Sequence, residues 1–275
     1  MVYKNFYVVK VPGVNGFGKT DGCKNSGNAI LKELKNIHVN EQGKIVDVGL
    51  FDLEEIHLDN SDIEHSNELI YNNSLECFEK KPKIVFLGGD HSVSYSIGKA
   101  FLESCKKTEK EVCLIVFNAR PNCMSSRDKE FPTYDEWLSA LVEEKFPAEN
   151  ILLVGIRNLN LEELSFLKEH NIRYLLMNSL LEDLEGICDT IMEFSNGKEL
   201  YVSVDISVID PVFAPSTNHK EPGGLTSRQF LYLIQRINKI NKLRAVDIVG
   251  INAEEDMKID NLTIKLGAKI LSELL

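Results

Sequence analysis

The sequence predicts an α/β protein built on a largely parallel sheet, and three observations predict it. Eight short β-branched runs alternate with amphipathic segments along the 275 residues, and such alternation implies parallel strands joined by right-handed helical crossovers. Several runs are apolar at nearly every position, the pattern of strands covered on both faces. No internal repeat or low-complexity linker interrupts the chain, so residues 1–275 read as one unit, a length that single α/β domains reach.

In chain order the strand-like runs are 5–11 (NFYVVKV), 44–50 (KIVDVGL), 83–89 (KIVFLGG), 111–117 (EVCLIVF), 150–156 (NILLVGI), 172–177 (IRYLLM), 199–206 (ELYVSVDI) and 243–251 (LRAVDIVGI). The helix-like segments between them include 26–36, 64–80, 133–145, 160–170 and 226–240. The chain closes with LTIKLGAKILSELL (262–275), apolar at three- and four-residue spacing. Ligands of such sheets sit beyond the carboxyl ends of the strands. The loops to inspect are therefore 88–92 (GGDHS), 118–122 (NARPN), 205–211 (DISVIDP) and 250–256 (GINAEED).

Composition narrows the function classes. Lys plus Arg number 31 and Asp plus Glu 42, a net charge of −11, which argues against nucleic acid because phosphate binding needs a basic face. The six cysteines at 23, 77, 105, 113, 123 and 188 form no CxxC pair and read as reduced, mostly buried thiols. No leader pattern and no apolar run of transmembrane length is present. The expectation is a cytoplasmic protein, with the sequons at Asn72 and Asn261 accidental.

Two motifs have plain readings. GVNGFGKT (13–20) satisfies the spacing G-x-x-x-x-G-K-[ST], but a phosphate-binding loop needs a helix starting at the Lys. Asp21, Gly22 and Gly27 delay that helix, and no acidic magnesium partner follows another strand, so a chance match is the better reading. His57 and His65 lie among many acids in 51–69, yet the pattern after Ser61 reads as an N-cap followed by a solvated helix face.

GGDHS is more specific. Two glycines allow a sharp turn after the strand and deliver Asp90 and His91 to the sheet edge. It is joined by YVSVDISVIDPVFAPSTNHKEPGGLTSRQF (201–230), LLVGIRN (152–158) and AVDIVGIN (245–252). With these signatures the chain resembles, over essentially its whole length, the ureohydrolase superfamily of arginase, agmatinase and formiminoglutamase. The resemblance implies a three-layer α/β/α fold with an eight-stranded, mostly parallel sheet, and commonly a trimer or hexamer. Active relatives use two manganese ions that generate hydroxide to attack a guanidinium or amidine carbon.

Carried over by position, the resemblance implies that His91 matches a histidine ligand and Asp205 a bridging aspartate. The family's D-A-H-x-D motif falls on Asn118, Ala119, Arg120, Pro121 and Asn122, and the second acid of its D-x-D pair on Ser207. A downstream proton-transfer histidine falls on Tyr134, and a glutamate near the substrate guanidinium on Gly250. Hard dications need anionic oxygens. Three amide or hydroxyl replacements leave Asp205 as the one anionic ligand among the matched positions. Arg120 offers no lone pair and stays cationic. The expectation is that Arg120 fills the vacated metal space and pairs with Asp205, and with Asp90.

Cys123 lies beside the site without an activating histidine, and His219 is the nearest candidate base. The favoured function is a metal-free, inactive pseudoenzyme without cofactors. It would act in a homo-oligomer, in a mixed oligomer with an active paralogue, or as a sensor of a small ligand, with Arg120 tilting the pocket toward anions. The alternatives are an amidine hydrolase with one metal at His91 and Asp205 or unusual ligands, and a nucleotide switch at GVNGFGKT. No nucleic acid or membrane partner is expected.

Overall fold

The computed structural model describes residues 6–125 and 131–275; Asn5, the first residue of the run 5–11, lies outside them. The strands are β1 (Tyr7–Val11), β2 (Asp52–Glu55), β3 (Ile84–Gly88), β4 (Val112–Phe117), β5 (Ile151–Ile156), β6 (Arg173–Leu176), β7 (Glu199–Asp205) and β8 (Leu243–Val249). They form one sheet in the order β2-β1-β3-β8-β7-β4-β5-β6, and every adjacent pair is parallel.

The helices are α1 (Ser26–Leu34), α2 (Ile63–Lys80), α3 (Val93–Lys107), α4 (Trp137–Glu143), α5 (Leu161–Glu169), α6 (Met177–Glu182), α7 (Leu184–Phe194), α8 (Ser227–Ile237), α9 (Ala253–Asp256) and α10 (Leu262–Glu273). Two apolar cores sandwich the sheet. Val8, Val85, Cys113, Val202 and Val246 point to the face covered by α1, α7, α8 and α10. Their neighbours Val9, Phe86, Leu114, Tyr201 and Ala245 point to the face covered by α2, α3 and α4. Successive side chains of a strand alternate faces, so central strands with both faces buried must be apolar throughout.

Two elements depart from the sequence reading. Residues 44–50 are not a strand: Asp47 accepts from Gly49 N at 2.9 Å and caps a short 3₁₀ turn (Val48–Leu50). That local side-chain bond competes with ladder pairing. The strand lies later, at β2, on the sheet edge, where Leu53, Glu54 and Glu55 remain exposed. The helix expected over 133–145 starts at Trp137, because Glu136 accepts from Thr133 N at 3.0 Å and closes a turn before it. Residues 131–136 thereby become a loop at the carboxyl edge.

The order β3-β8-β7-β4 at the centre of the sheet brings the loops 88–92, 250–256, 205–211 and 118–122 side by side. That adjacency creates the site.

Candidate functional site

At the end of β3 the chain turns where no side chain fits: a Cβ on Gly89 would lie 2.1 Å from Gly13 O. Asp90 follows, buried, and its carboxylate accepts from Asn15 N (2.8 Å), Thr20 Oγ1 (2.6 Å), Ser92 N (3.0 Å) and Ser92 Oγ (2.5 Å). Burial pushes its pKa up against those bonds. Asp90 thus staples the loop 13–20 to the sheet edge. The phosphate-loop reading fails geometrically: Thr20 bonds Asp90, and α1 begins at Ser26 after a 3₁₀ turn at Asp21–Asn25. His57 and His65 are exposed, and Asp62 caps α2 by accepting from His65 N at 3.0 Å.

His91 is buried, and its ring stacks on Trp137 with centroids 4.6 Å apart. Its Nε2 lies 2.9 Å from Ser203 Oγ, and Ser203 gives its own hydrogen to Asp247 Oδ1 at 2.8 Å. Hydrogen-bond accounting therefore assigns the Nε2 proton to His91, with Ser203 accepting it. Nδ1 faces Asn122 Nδ2 at 3.1 Å, Asn118 Nδ2 at 3.2 Å and Asp205 Oδ2 at 3.2 Å. Burial raises the pKa of Asp205, but its contact with His91 and the bonds from Ser207 outweigh it and hold the carboxyl below its ordinary value.

The Asn118 amide and the Asn122 backbone are themselves held in place. Asn118 Oδ1 accepts from Ser207 Oγ at 2.8 Å and Arg120 N at 3.3 Å, which turns the NH₂ group toward His91. Asn122 sits in the left-handed region (φ 55°), and its N–H donates to Glu163 Oε1 at 3.1 Å. Glu163 is also the N3 residue of the capping box that opens α5 with Asn160. Ser207 N donates to Asp205 Oδ1 at 2.8 Å, and Ser207 O accepts from Arg157 Nη2 at 2.7 Å. Gly250 holds φ 80°, donates to Gly89 O at 2.9 Å, and leaves no room for a Cβ, which would lie 2.8 Å from Asp205 Oδ1.

The six positions His91, Asn118, Asn122, Asp205, Ser207 and Gly250 therefore meet. Arg120 does not join them as expected. Its ion-pair partners among the described residues are Asp135 (Nη1–Oδ1 3.9 Å) and Glu221 (Nε–Oε1 4.0 Å), and its side chain is 29% exposed. The space beside Asp205 is already filled by His91 and the hydrogen-bonded amides. The long side chain instead reaches the rim, where two acids stand about 4 Å from it and its Nε is buried without a hydrogen-bond partner among the described residues. The preference for anionic ligands rested on an inward guanidinium and loses that support.

Tyr134 also stands at the rim, its ring stacked on His219 at 5.0 Å, and burial with neighbouring Asp135 pushes its pKa up to about 12. The order Ser203–His91–Asp205 has the connectivity of a hydrolytic triad. Ser203, however, is fully buried and its proton is engaged by Asp247. Cys123 is fully buried and burial pushes its thiol far up, so neither residue is an available nucleophile.

Sequence reasoning missed Ser203, Asp247, Trp137, Glu163 and Arg157. The signal for the first two was present: polar residues inside the apolar runs of β7 and β8 must have partners when buried. Asp247 accepts from Ser94 Oγ (2.6 Å), Ser203 Oγ (2.8 Å), Val204 N (3.1 Å) and the Tyr201 hydroxyl.

The donor set tests whether the manganese pair implied by the resemblance fits. One imidazole and one carboxylate remain, while the amides present N–H groups and not oxygens to Nδ1. Among the described residues no group of three His, Cys, Asp or Glu side chains could hold a metal ion. The residues do not fit the group.

Comparison with known proteins agrees with the fold. The model of the Arginase family matches residues 4–275. Arginase 1, mitochondrial, of Arabidopsis thaliana is 28% identical over 254 residues, covering 92% of this chain and 70% of that protein. The solved structure of proclavaminate amidino hydrolase from Streptomyces clavuligerus superposes with a TM-score of 0.85 at 23% identity, over 98% of this chain and 90% of that one. Formimidoylglutamase from Bacillus subtilis gives 0.85 at 24% identity, over 98% and 85%. With a parallel eight-stranded sheet, GGDHS at one strand end and the whole described chain inside the match, this protein belongs to the arginase family.

Proposed function

We propose that this chain is a metal-free, catalytically silent member of the arginase family whose work is to bind a partner. The observation that carries the reading is the pair of side-chain NH₂ groups, Asn118 and Asn122, held 3.1–3.2 Å from Nδ1 of His91. A nitrogen that ligates a dication must present its lone pair to it. Here donors occupy that direction, and Asp205 is the one carboxylate touching Nδ1. Three lost carboxylates also remove the charge that a manganese pair requires.

The partner reading follows from what surrounds the site. Arg120 faces Asp135 and Glu221 at the rim, which removes the electrostatic case for a small anion. Phe17, Val212 and Met257, in the connections beyond the carboxyl ends of the strands, and Leu161, the first residue of α5, expose 81%, 76%, 54% and 81% of their surfaces. Exposed apolar groups around one edge support protein contact. The simplest partner is an active protein of the same fold in a mixed oligomer.

The test is metal analysis of the purified protein after incubation with manganese, alongside urea release from arginine and agmatine. The expected result is manganese far below stoichiometric and no urea. Stoichiometric manganese with turnover would replace this reading by that of a hydrolase with an unusual site.

A further inference from the structure

Two rim loops meet at the carboxyl edge of the sheet, beside the buried His91 and Asp205. Residues 131–136, before α4, carry Tyr134 and Asp135; residues 211–224, between β7 and α8, carry His219 and Glu221. Their bases are anchored independently. Asn15 Nδ2 donates to Phe131 O and Pro132 O, both at 3.1 Å. Arg157 donates to Glu221 O at 2.6 Å and Pro222 O at 3.1 Å, and Asn158 Nδ2 donates to Glu221 Oε1 at 2.5 Å.

Between these anchors, among the described residues, the loops meet through the Tyr134–His219 ring stack at 5.0 Å and through Arg120, which reaches Asp135 on one side and Glu221 on the other. Arg120 springs from the loop after β4, beneath both. Each ion pair is long, and Nε of Arg120 is buried without a hydrogen-bond partner among the described residues, so each contact alone is weak. Together with the stack they bring five side chains from three segments together.

We infer that Arg120 is a clasp: by bridging Asp135 and Glu221 beneath the Tyr134–His219 stack, it holds the two rim loops closed over His91 and Asp205. The inference deepens the metal-free reading and rests on it for the role of position 120. The position that the resemblance gives to a metal ligand becomes a tie between the two loops that cover the buried His91 and Asp205.

Trp137 is the chain's one tryptophan, is fully buried and stacks on His91, so its fluorescence reports access past the rim. Acrylamide quenching of the full chain tests the clasp. Arg120→Ala is expected to raise the quenching constant roughly two- to five-fold, the size expected when a local opening becomes populated, with far-UV circular dichroism unchanged. The paired variant Asp135→Asn with Glu221→Gln, which keeps Arg120, is expected to match it, and adding Arg120→Ala to that pair to do nothing more.

Unchanged quenching in the folded variants, or additive effects of Arg120 and its acids, would overturn the clasp. If Arg120→Ala does not fold, the acid pair alone decides. Metal content is measured separately: bound manganese with clasp-dependent quenching overturns the metal-free reading alone, and clasp-independent quenching without manganese overturns the clasp alone.

Discussion

Asn122 Nδ2 stands 3.1 Å from His91 Nδ1, so the imidazole edge turned toward Asp205 faces a hydrogen-bond donor. Asn122 reaches it from a left-handed backbone held by Glu163.

Reverting the site should restore ligands in a definite order. The variant Asn118→Asp, Arg120→His, Asn122→Asp, Ser207→Asp is expected to bind manganese, read by calorimetry, before it shows turnover, because Tyr134 and Gly250 remain. Without metal it should be less stable than the parent by about 3 kcal/mol or more, since buried carboxylates then repel one another. A variant equally stable with and without manganese would contradict this.

Gly250→Ala should destabilise the fold by about 1–3 kcal/mol, since φ 80° disfavours any Cβ and the new atom would lie 2.8 Å from Asp205 Oδ1. Urea denaturation measures it. A neutral result would show that the strand end relaxes freely. Gly250→Glu should cost more, by adding a charge beside Asp205.

Ser203→Ala should cost about 2–3 kcal/mol in the same assay, because it strips the acceptor of His91 Nε2 and one donor of Asp247 while both stay buried. Ser165→Ala, whose hydroxyl bonds its own helix at an exposed site, serves as the control with little expected change.

Lys83 gives a pH test. Burial, with Lys44 nearby, lowers its pKa to about 8 from 10.5, while Nζ donates to Leu274 O at 2.8 Å and to Asn238 Oδ1. Between these values the unfolded chain binds the extra proton, so this group's contribution to stability rises with pH from about 8 to 10.5. Lys83→Met should lack that rise. The difference is at most about 3 kcal/mol, less as far as water reaches the ammonium. Parallel pH profiles of the two proteins would refute the assignment.

Much of this protein was legible in its sequence. The apolar runs of β3, β4, β5, β7 and β8 had to be central strands, because a strand with helices on both faces has no solvent side on which to place polar residues. GGDHS, Asn118, Asn122, Asp205 and Ser207 could be assigned to one edge because parallel strands end their carboxyl termini together. Residues 44–50 misled, since β-branched composition outweighed the Asp47–Gly49 turn, and β2 at the edge carries acids that a central strand would exclude.

Tertiary structure alone decided where the long and the partnered side chains go. Arg120 could be read as cationic but not as outward-facing, because its direction depends on whether His91, Asn118 and Asn122 already fill the interior. The pairing of Ser203 with His91 and Asp247 likewise joins β7, the loop after β3 and β8, which are far apart in sequence. Residue type and spacing fix the chemistry a position carries and the sheet edge it reaches; which hydrogen bonds it makes there depends on the packed space left by its neighbours, and no local pattern in the chain encodes that.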